Sequence, residues 1–265
     1  MHAEPCRMGA SLAAALLLVA AVRAAEAQGL PAGARLPDIV EEIPSHLQIQ
    51  NEHKRGMLRF STSHINLEEG PLQLRGGGQV APCTIAGVAY DQCTYATQEI
   101  LDAGGQVVAT HPAGISFFHP AHNHWHQSAV ATFAVRKDSL EGPVVALGDK
   151  MTFCLIDFDK TDLVHANSER VYYSGNGDLQ GISVGWIDEY HMSTEGQELD
   201  LTGAPEGVYY LTHLADPEQH WLETHEDNNF AWVKFRLTRK GANPEITILD
   251  HSPCEGATCG NTSNR

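Results

Sequence analysis

Six short runs of β-forming residues, separated by turn-forming residues, constrain the fold of this chain more than any other feature. The runs are MLRFSTSHINL (57–67), AVATFAVRK (129–137), MTFCLIDF (151–158), GVYYLTHLA (207–215), FAWVKFRLT (230–238) and EITIL (245–249). Clusters of Gly, Pro, Asn and Asp, such as RGGG, SGNGD and TGAPEG, lie between them. Runs at this spacing, without a long amphipathic helix, are typical of a sandwich or barrel. The pattern predicts an all-β fold, an antiparallel β-sandwich with irregular loops.

Residues 1–27 have the features of a secretory signal peptide. Arg7 precedes an apolar stretch, residues 9–22, that is too short to span a bilayer well, and AEA at 25–27 is a small-residue cleavage site. A single N-terminal anchor helix is the alternative. We therefore expect a secreted or periplasmic protein with no membrane association after cleavage. The remaining length suits one domain, predicted at 36–250, after a leader at 28–35 and before an irregular tail at 251–265.

The net charge and the cysteines limit which binding partners and which cellular compartment are plausible. The formal net charge of −16 argues against nucleic acid, because binding to phosphates requires basic residues. It suits cationic partners such as amines or basic proteins, although solubility alone also explains it. Cys83–Cys93 and Cys254–Cys259 are the simplest disulfide pairs, because each would close a short loop, and other connectivities stay open. Cys154 lies in an apolar run and is predicted to be a buried free thiol.

The stretch FFHPAHNHWHQ (117–127) is the strongest candidate for a metal site. On a strand, His122, His124 and His126 would point to one face. Imidazole suits copper or zinc, and three protein ligands leave a position open for water or substrate. A histidine-rich loop or a polar barrel lining is the alternative, whereas a cupin barrel would need further ligands that the next segment does not supply. His119, on the other side of Pro120, is expected to neighbour the ligands rather than to bind metal.

Three segments, in this order, resemble the lysyl oxidase family. HPAHNHWHQ resembles its copper-binding segment, GDKMTFCLID (148–157) the segment with its cofactor lysine, and QGISVGWIDEY (180–190) the segment with its cofactor tyrosine. The similarity continues through GVYYLTHLADPEQHWLETHEDNN and covers about residues 36–239. Ala121 stands where animal members have a cysteine, and this chain has fewer cysteines than they do. The resemblance thus implies a distant, prokaryotic member.

The resemblance implies a copper-dependent amine oxidase. Such an enzyme converts primary amines, including lysyl side chains of proteins, to aldehydes with molecular oxygen, and it releases hydrogen peroxide and ammonia. The three histidines of the HxHxH motif match the copper ligands. Lys150 and Tyr190 match the two precursors of lysine tyrosylquinone, the cross-linked cofactor. Asp188, two residues before the tyrosine, is a candidate base, or alternatively a residue that caps a turn.

The resemblance also implies a calcium site. The matching residues are Asp38, Ile39 through its carbonyl, Glu223, Asn228 and Asn229. His225 stands where an aspartate is usual, and a neutral imidazole is a poor calcium ligand. Glu226 or Asp227 could take its place. Alternatively, these residues serve only to form turns.

A second class of protein fits the later half of the chain. APEGVYYLTHLADPEQHWLETHEDNN (204–229) followed by an alternating strand also resembles the Ig-like adhesion modules of bacterial surface proteins. A non-catalytic, exported, metal-binding module is therefore the alternative function. Such a module has no need to combine the HxHxH motif with Lys150 and Tyr190, and this combination favours the oxidase.

Overall fold

The computed structural model describes residues 29–52, 55–148, 152–163, 169–240 and 243–259. These residues form sixteen β-strands and one 3-10 turn, η1 (Gly256–Cys259), with no α-helix among them. The strands are β1 (Ile39–Glu41), β2 (Ser45–Glu52), β3 (Arg55–Asn66), β4 (Leu72–Ile85), β5 (Val88–Leu101), β6 (Val107–His119), β7 (His124–Gln127), β8 (Ala131–Lys137), β9 (Val144–Leu147), β10 (Asp159–Lys160), β11 (Leu179–Ile182), β12 (Trp186–Tyr190), β13 (Glu198–Asp200), β14 (Gly207–Ala215), β15 (Phe230–Lys240) and β16 (Asn243–His251). The described part of the chain holds no helix long and apolar enough to cross a membrane. The predicted signal peptide lies outside the described residues.

The strands form three antiparallel sheets, which confirms the predicted all-β class. In the first sheet β3 is central: the order is β1-β3-β12-β10, and β2 and β13 pair with the other half of β3. The second sheet has the order β11-β4-β5-β6-β7, and the third has the order β16-β15-β14-β8-β9. Strand β15 shows why these sequences form strands, because Val233, Phe235 and Leu237 are buried while Lys234 and Arg236 point outward. This alternation is the period of a half-buried strand.

A row of aromatic rings in the common core leads to one tyrosine. Phe60 and Phe133 pack edge to face at 5.1 Å, and Phe133 and Phe153 at 6.1 Å. Phe153 then packs against Tyr190 at 4.4 Å. Such pairs add about 0.5–1.5 kcal/mol each beyond the burial of their surface. The packing of the core therefore fixes the position of Tyr190.

The run MTFCLIDF does not form a strand, so that prediction is wrong. Residues 152–158 make only an isolated bridge, between Phe153 and Gln127. Their side chains still alternate between buried and less buried positions. Their main chain makes single hydrogen bonds rather than a ladder: Leu155 N donates to Oε1 of Gln180 over 3.1 Å, and Leu155 O accepts from Gly181 N of β11 over 3.1 Å. The alternation in sequence reflects burial here without sheet pairing.

The two predicted disulfides are confirmed. Cys83–Cys93 joins β4 to β5, and Cys254–Cys259 closes the segment around η1. Cys154 is in neither disulfide, but it is only partly buried, in contrast to the prediction of a buried thiol.

Candidate active site

The three predicted copper ligands converge at the edge of the second sheet. His124 and His126 lie on one face of β7, whereas His122 lies in the preceding turn and not on the strand as predicted. Asn123, with φ of 56°, adopts the left-handed conformation that this turn requires, which asparagine tolerates well. The turn brings Nδ1 of His122 to 3.1 Å from Nε2 of His126, and Nε2 of His124 is 3.0 Å from the same atom.

This geometry fits one metal ion. Nitrogens that sit 2.0–2.1 Å from a common ion are roughly 3 Å apart, as these are. All three ligand atoms lie within 4.8 Å of one another. His126 is buried, while His122 and His124 are half-buried, so the group is accessible from one side. The residues therefore suit copper or zinc with a position left for water or substrate.

The outer nitrogens of two of these rings have partners that hold their orientation. Nδ1 of His126 is 3.2 Å from Oγ1 of Thr152, and Nε2 of His122 is 3.1 Å from Oε2 of Glu195. Partners of this kind select the tautomer and direction of a metal-binding imidazole. His119 stacks on His122 at 4.2 Å and is not among the three histidines whose ligand atoms come together. The sequence gives no local sign of Thr152 or Glu195.

Gly175 allows the chain to approach the histidines closely. Trp125 N donates to Gly175 O over 2.8 Å, which ties a distant loop to β7. A Cβ atom at position 175 would lie 2.7 Å from Cβ of Cys154 and 3.0 Å from Cδ2 of His124. Both distances are shorter than ordinary contacts, so a larger residue would displace its neighbours.

Tyr190 lies on β12 in the core, with only 8% of its surface exposed. Its hydroxyl donates to Cys154 O and, over 3.1 Å, to Oδ2 of Asp188. The short segment from Thr152 to Cys154 thus contacts His126 at one end and Tyr190 at the other. Lys150 itself lies outside the described residues.

Asp188 is a titratable group in contact with the tyrosine hydroxyl. Burial raises the pKa of the Asp188 carboxyl to about 7, although the charge of His64 and the hydrogen bond from Tyr190 act in the opposite direction. Burial, and then the charge of Asp188, raise the pKa of Tyr190 well above its usual value. A carboxyl group with a pKa near neutrality can accept and release a proton at the working pH of most enzymes.

An acidic cleft opens beside the histidines. It has a volume of about 720 Å³, and His119, His122, Gly148 and Thr152 contribute to its walls. Gly148 and Thr152 flank residues 149–151, so the chain on both sides of Lys150 reaches this cleft. Glu195, Glu198 and Asp200 line another part of the wall, and Glu198 is ion-paired with Arg59 over 2.8 Å. Such a surface attracts cations.

The five residues of the predicted calcium site lie together around the start of β1. Oδ1 of Asp38 accepts from Nδ2 of Asn228 over 2.7 Å. The carboxylate of Glu223 accepts from Ile39 N and from Nδ2 of Asn229, each over 2.6 Å. Oδ1 of Asn228 and Oδ1 of Asn229 are buried and make no hydrogen bond. Oxygen atoms of this kind fit a hard cation such as calcium.

A different ligand set overlaps this group. Asp38, Glu68 and His225 have potential ligand atoms within 4.8 Å of one another. Glu68 was not predicted, because it lies far in sequence from the other residues of the site. Burial raises the pKa of both Asp38 and Glu223, which a bound cation would counteract.

Comparisons with known proteins identify relatives of this chain. It is 34% identical to lysyl oxidase homolog 2 of Xenopus tropicalis over 120 residues, 45% of this chain and 15% of that protein. It is 28% identical to lysyl oxidase homolog 2 of Mus musculus over 181 residues, 64% of this chain and 22% of that protein. For lysyl oxidase homolog 3A of Danio rerio, the identity is 27% over 176 residues, 62% and 23% of the two chains. This chain therefore spans less than a quarter of the length of these relatives.

A family model described as lysyl oxidase matches residues 88–245. The matched part is more than half of the chain and contains the three histidines, Tyr190 and Asp188. The chain therefore belongs to the lysyl oxidase family.

Proposed function

We propose that this protein is a copper-dependent amine oxidase that converts primary amines, including lysyl side chains of proteins, to aldehydes. The balanced reaction is R–CH₂–NH₂ + O₂ + H₂O giving R–CHO + NH₃ + H₂O₂. One observation carries the proposal: the segment from Thr152 to Cys154, just after Lys150, contacts His126 on one side and Tyr190 on the other. A non-catalytic adhesion module has no need for this arrangement. Membership of the lysyl oxidase family also supports the oxidase.

The residues of the site fit the cofactors that the family implies. Copper held by His122, His124 and His126 would supply oxidation of the tyrosine ring, and lysine tyrosylquinone formed from Lys150 and Tyr190 would supply the electrophile for the amine. Asp188, 3.1 Å from the Tyr190 hydroxyl, would accept and hold a proton at that point.

The packing around Tyr190 supports the same chemistry. The Phe153 ring, 4.4 Å away, helps to shield the tyrosine from water. Only 8% of the tyrosine surface is exposed, so its environment has a low dielectric constant and strengthens the interaction with Asp188.

The cleft supports a cationic substrate. Glu195 and Asp200 lie in the wall that also contains His122, whereas the neighbouring Glu198 is paired with Arg59. A protonated primary amine, free or at the end of a lysyl side chain, would be attracted to these carboxylates before it reaches the site. The net charge of −16 acts in the same direction at longer range.

We also propose that residues 36–250 form the catalytic domain and that it works outside the cytoplasm. The three sheets share one core, and both disulfides fall in the described residues. Disulfides persist in oxidising compartments, which supports a secreted or periplasmic protein.

Mass spectrometry of a tryptic digest tests the cofactor. We expect that copper-loaded protein incubated in air yields one species in which the peptides containing Lys150 and Tyr190 are covalently joined. Copper-free protein kept without oxygen is the control and should yield the two peptides separately. If copper-loaded, aerated protein oxidises amines while these peptides remain separate, the proposed cofactor is wrong.

We further propose that calcium binds at Asp38, Ile39, Glu223, Asn228 and Asn229. Calcium at about 100 times its dissociation constant should then stabilise the fold by about 2.7 kcal/mol, which thermal melts with and without calcium would detect. Magnesium is the control ion, since it prefers a different geometry. Glu223→Gln should abolish the shift, whereas Glu218→Gln, at an exposed position, should preserve it. If calcium does not change the melting temperature, these residues only form turns and hydrogen bonds.

A further inference from the structure

A second group of potential metal ligands lies in the interior, apart from the site described above. It consists of Glu41 on β1, His64 on β3 and His213 on β14, and none of the three side chains has exposed surface. Glu41 and His64 are direct partners across the β1–β3 ladder, whereas His213 belongs to the third sheet. The group therefore connects two sheets.

The contacts within this group leave buried atoms without hydrogen bonds. Oε1 of Glu41 is 2.7 Å from Nδ1 of His64 and makes a hydrogen bond with it. Oε2 of Glu41 is 2.6 Å from Nε2 of His213, yet neither atom makes a hydrogen bond of acceptable geometry. Nε2 of His64 is also buried without a hydrogen bond. Nδ1 of His213 is the fourth such atom in the cluster. Buried polar atoms are nearly always satisfied, so Oε2 of Glu41 and Nε2 of His213, which lie side by side, point to a ligand that they share.

The charges around the group favour a divalent cation. Glu41 is a buried carboxyl group, and Asp188, the partner of His64 across the β3–β12 ladder, is another. Apolar rings surround the histidines, with Phe133 at 5.0 Å from His213. One divalent ion would balance the charge of Glu41 in an environment where unpaired charge is costly.

We propose that Glu41, His64 and His213 bind a divalent metal ion of the zinc class. Two imidazoles and one carboxylate are a ligand set that zinc accepts. Ligand atoms on one ion are roughly 3 Å apart, so Glu41 would separate from the two rings by a few tenths of an ångström on binding. His64 also lies beside Asp188, its partner across the β3–β12 ladder. Such outer partners are typical of metal-bound histidines.

A metal ion at this position would hold the sheets together and position Asp188. The group is closed to solvent, so the ion would bind as the chain folds and would not exchange with substrate. His64 would then stand between the ion and Asp188, whose carboxylate contacts the Tyr190 hydroxyl. This inference goes beyond the proposed amine oxidase and does not depend on it.

Zinc content in a variant without the other candidate metal sites tests this inference. The background is H122Q/H124Q/H126Q/H225A, which removes the copper ligands and the imidazole near Asp38. We expect about one zinc ion per folded chain after passage over a chelating resin, measured by plasma mass spectrometry. Cobalt(II) in place of zinc should give a visible absorption spectrum with nitrogen and oxygen ligation. Because this background lacks the copper ligands, the result is independent of amine oxidation.

Further changes in the same background locate the ion. His213→Leu and Glu41→Gln should each reduce zinc to near zero, whereas His251→Leu, at a partly buried histidine elsewhere, should not. If the two site variants fail to fold, the background alone still decides. A folded background protein that retains no zinc would overturn the proposal and leave a purely hydrogen-bonded group. Zinc that remains in folded His213→Leu and Glu41→Gln proteins would also overturn it.

Discussion

Replacing Tyr190 with phenylalanine is expected to reduce amine-dependent peroxide production to background, a loss of at least about 10³-fold. The phenylalanine ring lacks the oxygen from which a quinone would form. The change removes the hydrogen bonds to Cys154 O and Asp188, at a cost of about 1–3 kcal/mol, so the protein should still fold. A peroxide assay with a primary diamine, together with the absorbance of the phenylhydrazine adduct, would measure the effect in copper-loaded protein.

Tyr172 provides a matched control for this experiment. It is also a buried tyrosine, and its hydroxyl donates to Oε1 of Gln73 over 2.7 Å. Tyr172→Phe removes one buried hydrogen bond without touching the proposed cofactor, so its activity should stay within a few fold of that of the wild type. Equal losses in the two variants would indicate a general packing effect. Full activity of Tyr190→Phe would disprove the cofactor assignment.

Replacing His126 with glutamine is expected to weaken copper binding by at least about 100-fold, or about 2.7 kcal/mol. His126 is central in the group, because its Nε2 is the atom closest to both other ligand nitrogens. Thr152→Val removes only the hydroxyl beside Nδ1 of His126 and should weaken binding by about 10-fold. Competition with a chromophoric chelator would measure both affinities.

The control for the copper experiment is His251→Gln. His251 is a partly buried histidine whose Nδ1 contacts Ser252 O, outside the ligand group, so copper affinity should not change. A copper affinity of His126→Gln equal to that of the wild type would show that the HxHxH motif does not hold the ion. Because the cofactor would need copper to form, His126→Gln should also fail to react with phenylhydrazine.

The candidate site was predictable where its residues are close in sequence. The spacing of His122, His124 and His126 placed them together, and the structure brings them together even though only two are on the strand. The partners that orient them were not predictable. Thr152 is 26 residues from His126, and Glu195 is 73 residues from His122. Only the folded chain brings such residues into contact.

For the fold, too, local sequence predicted individual strands, whereas contacts between distant residues were not predictable. Strand β14 has the predicted bounds, and β15 begins at the predicted residue, because alternating burial and a pairing partner coincide there. In residues 152–158 the alternation is present but the partner strand is not, and the sequence of the segment does not reveal this. Glu41, His64 and His213 lie on three strands that are far apart in the sequence, so no local pattern signals the group that they form.

Gly175 limits how related sequences can diverge around the histidines. A residue 49 positions after His126 decides whether His124 keeps its place, because even a methyl group there would press on the His124 ring and on Cys154. The HxHxH spacing alone is therefore an incomplete criterion for recognising members with a working copper site. A homologue that retains the three histidines but has a bulky side chain at the equivalent of position 175 must have a rearranged loop or a distorted centre. In genome surveys, this glycine should be read together with the histidines.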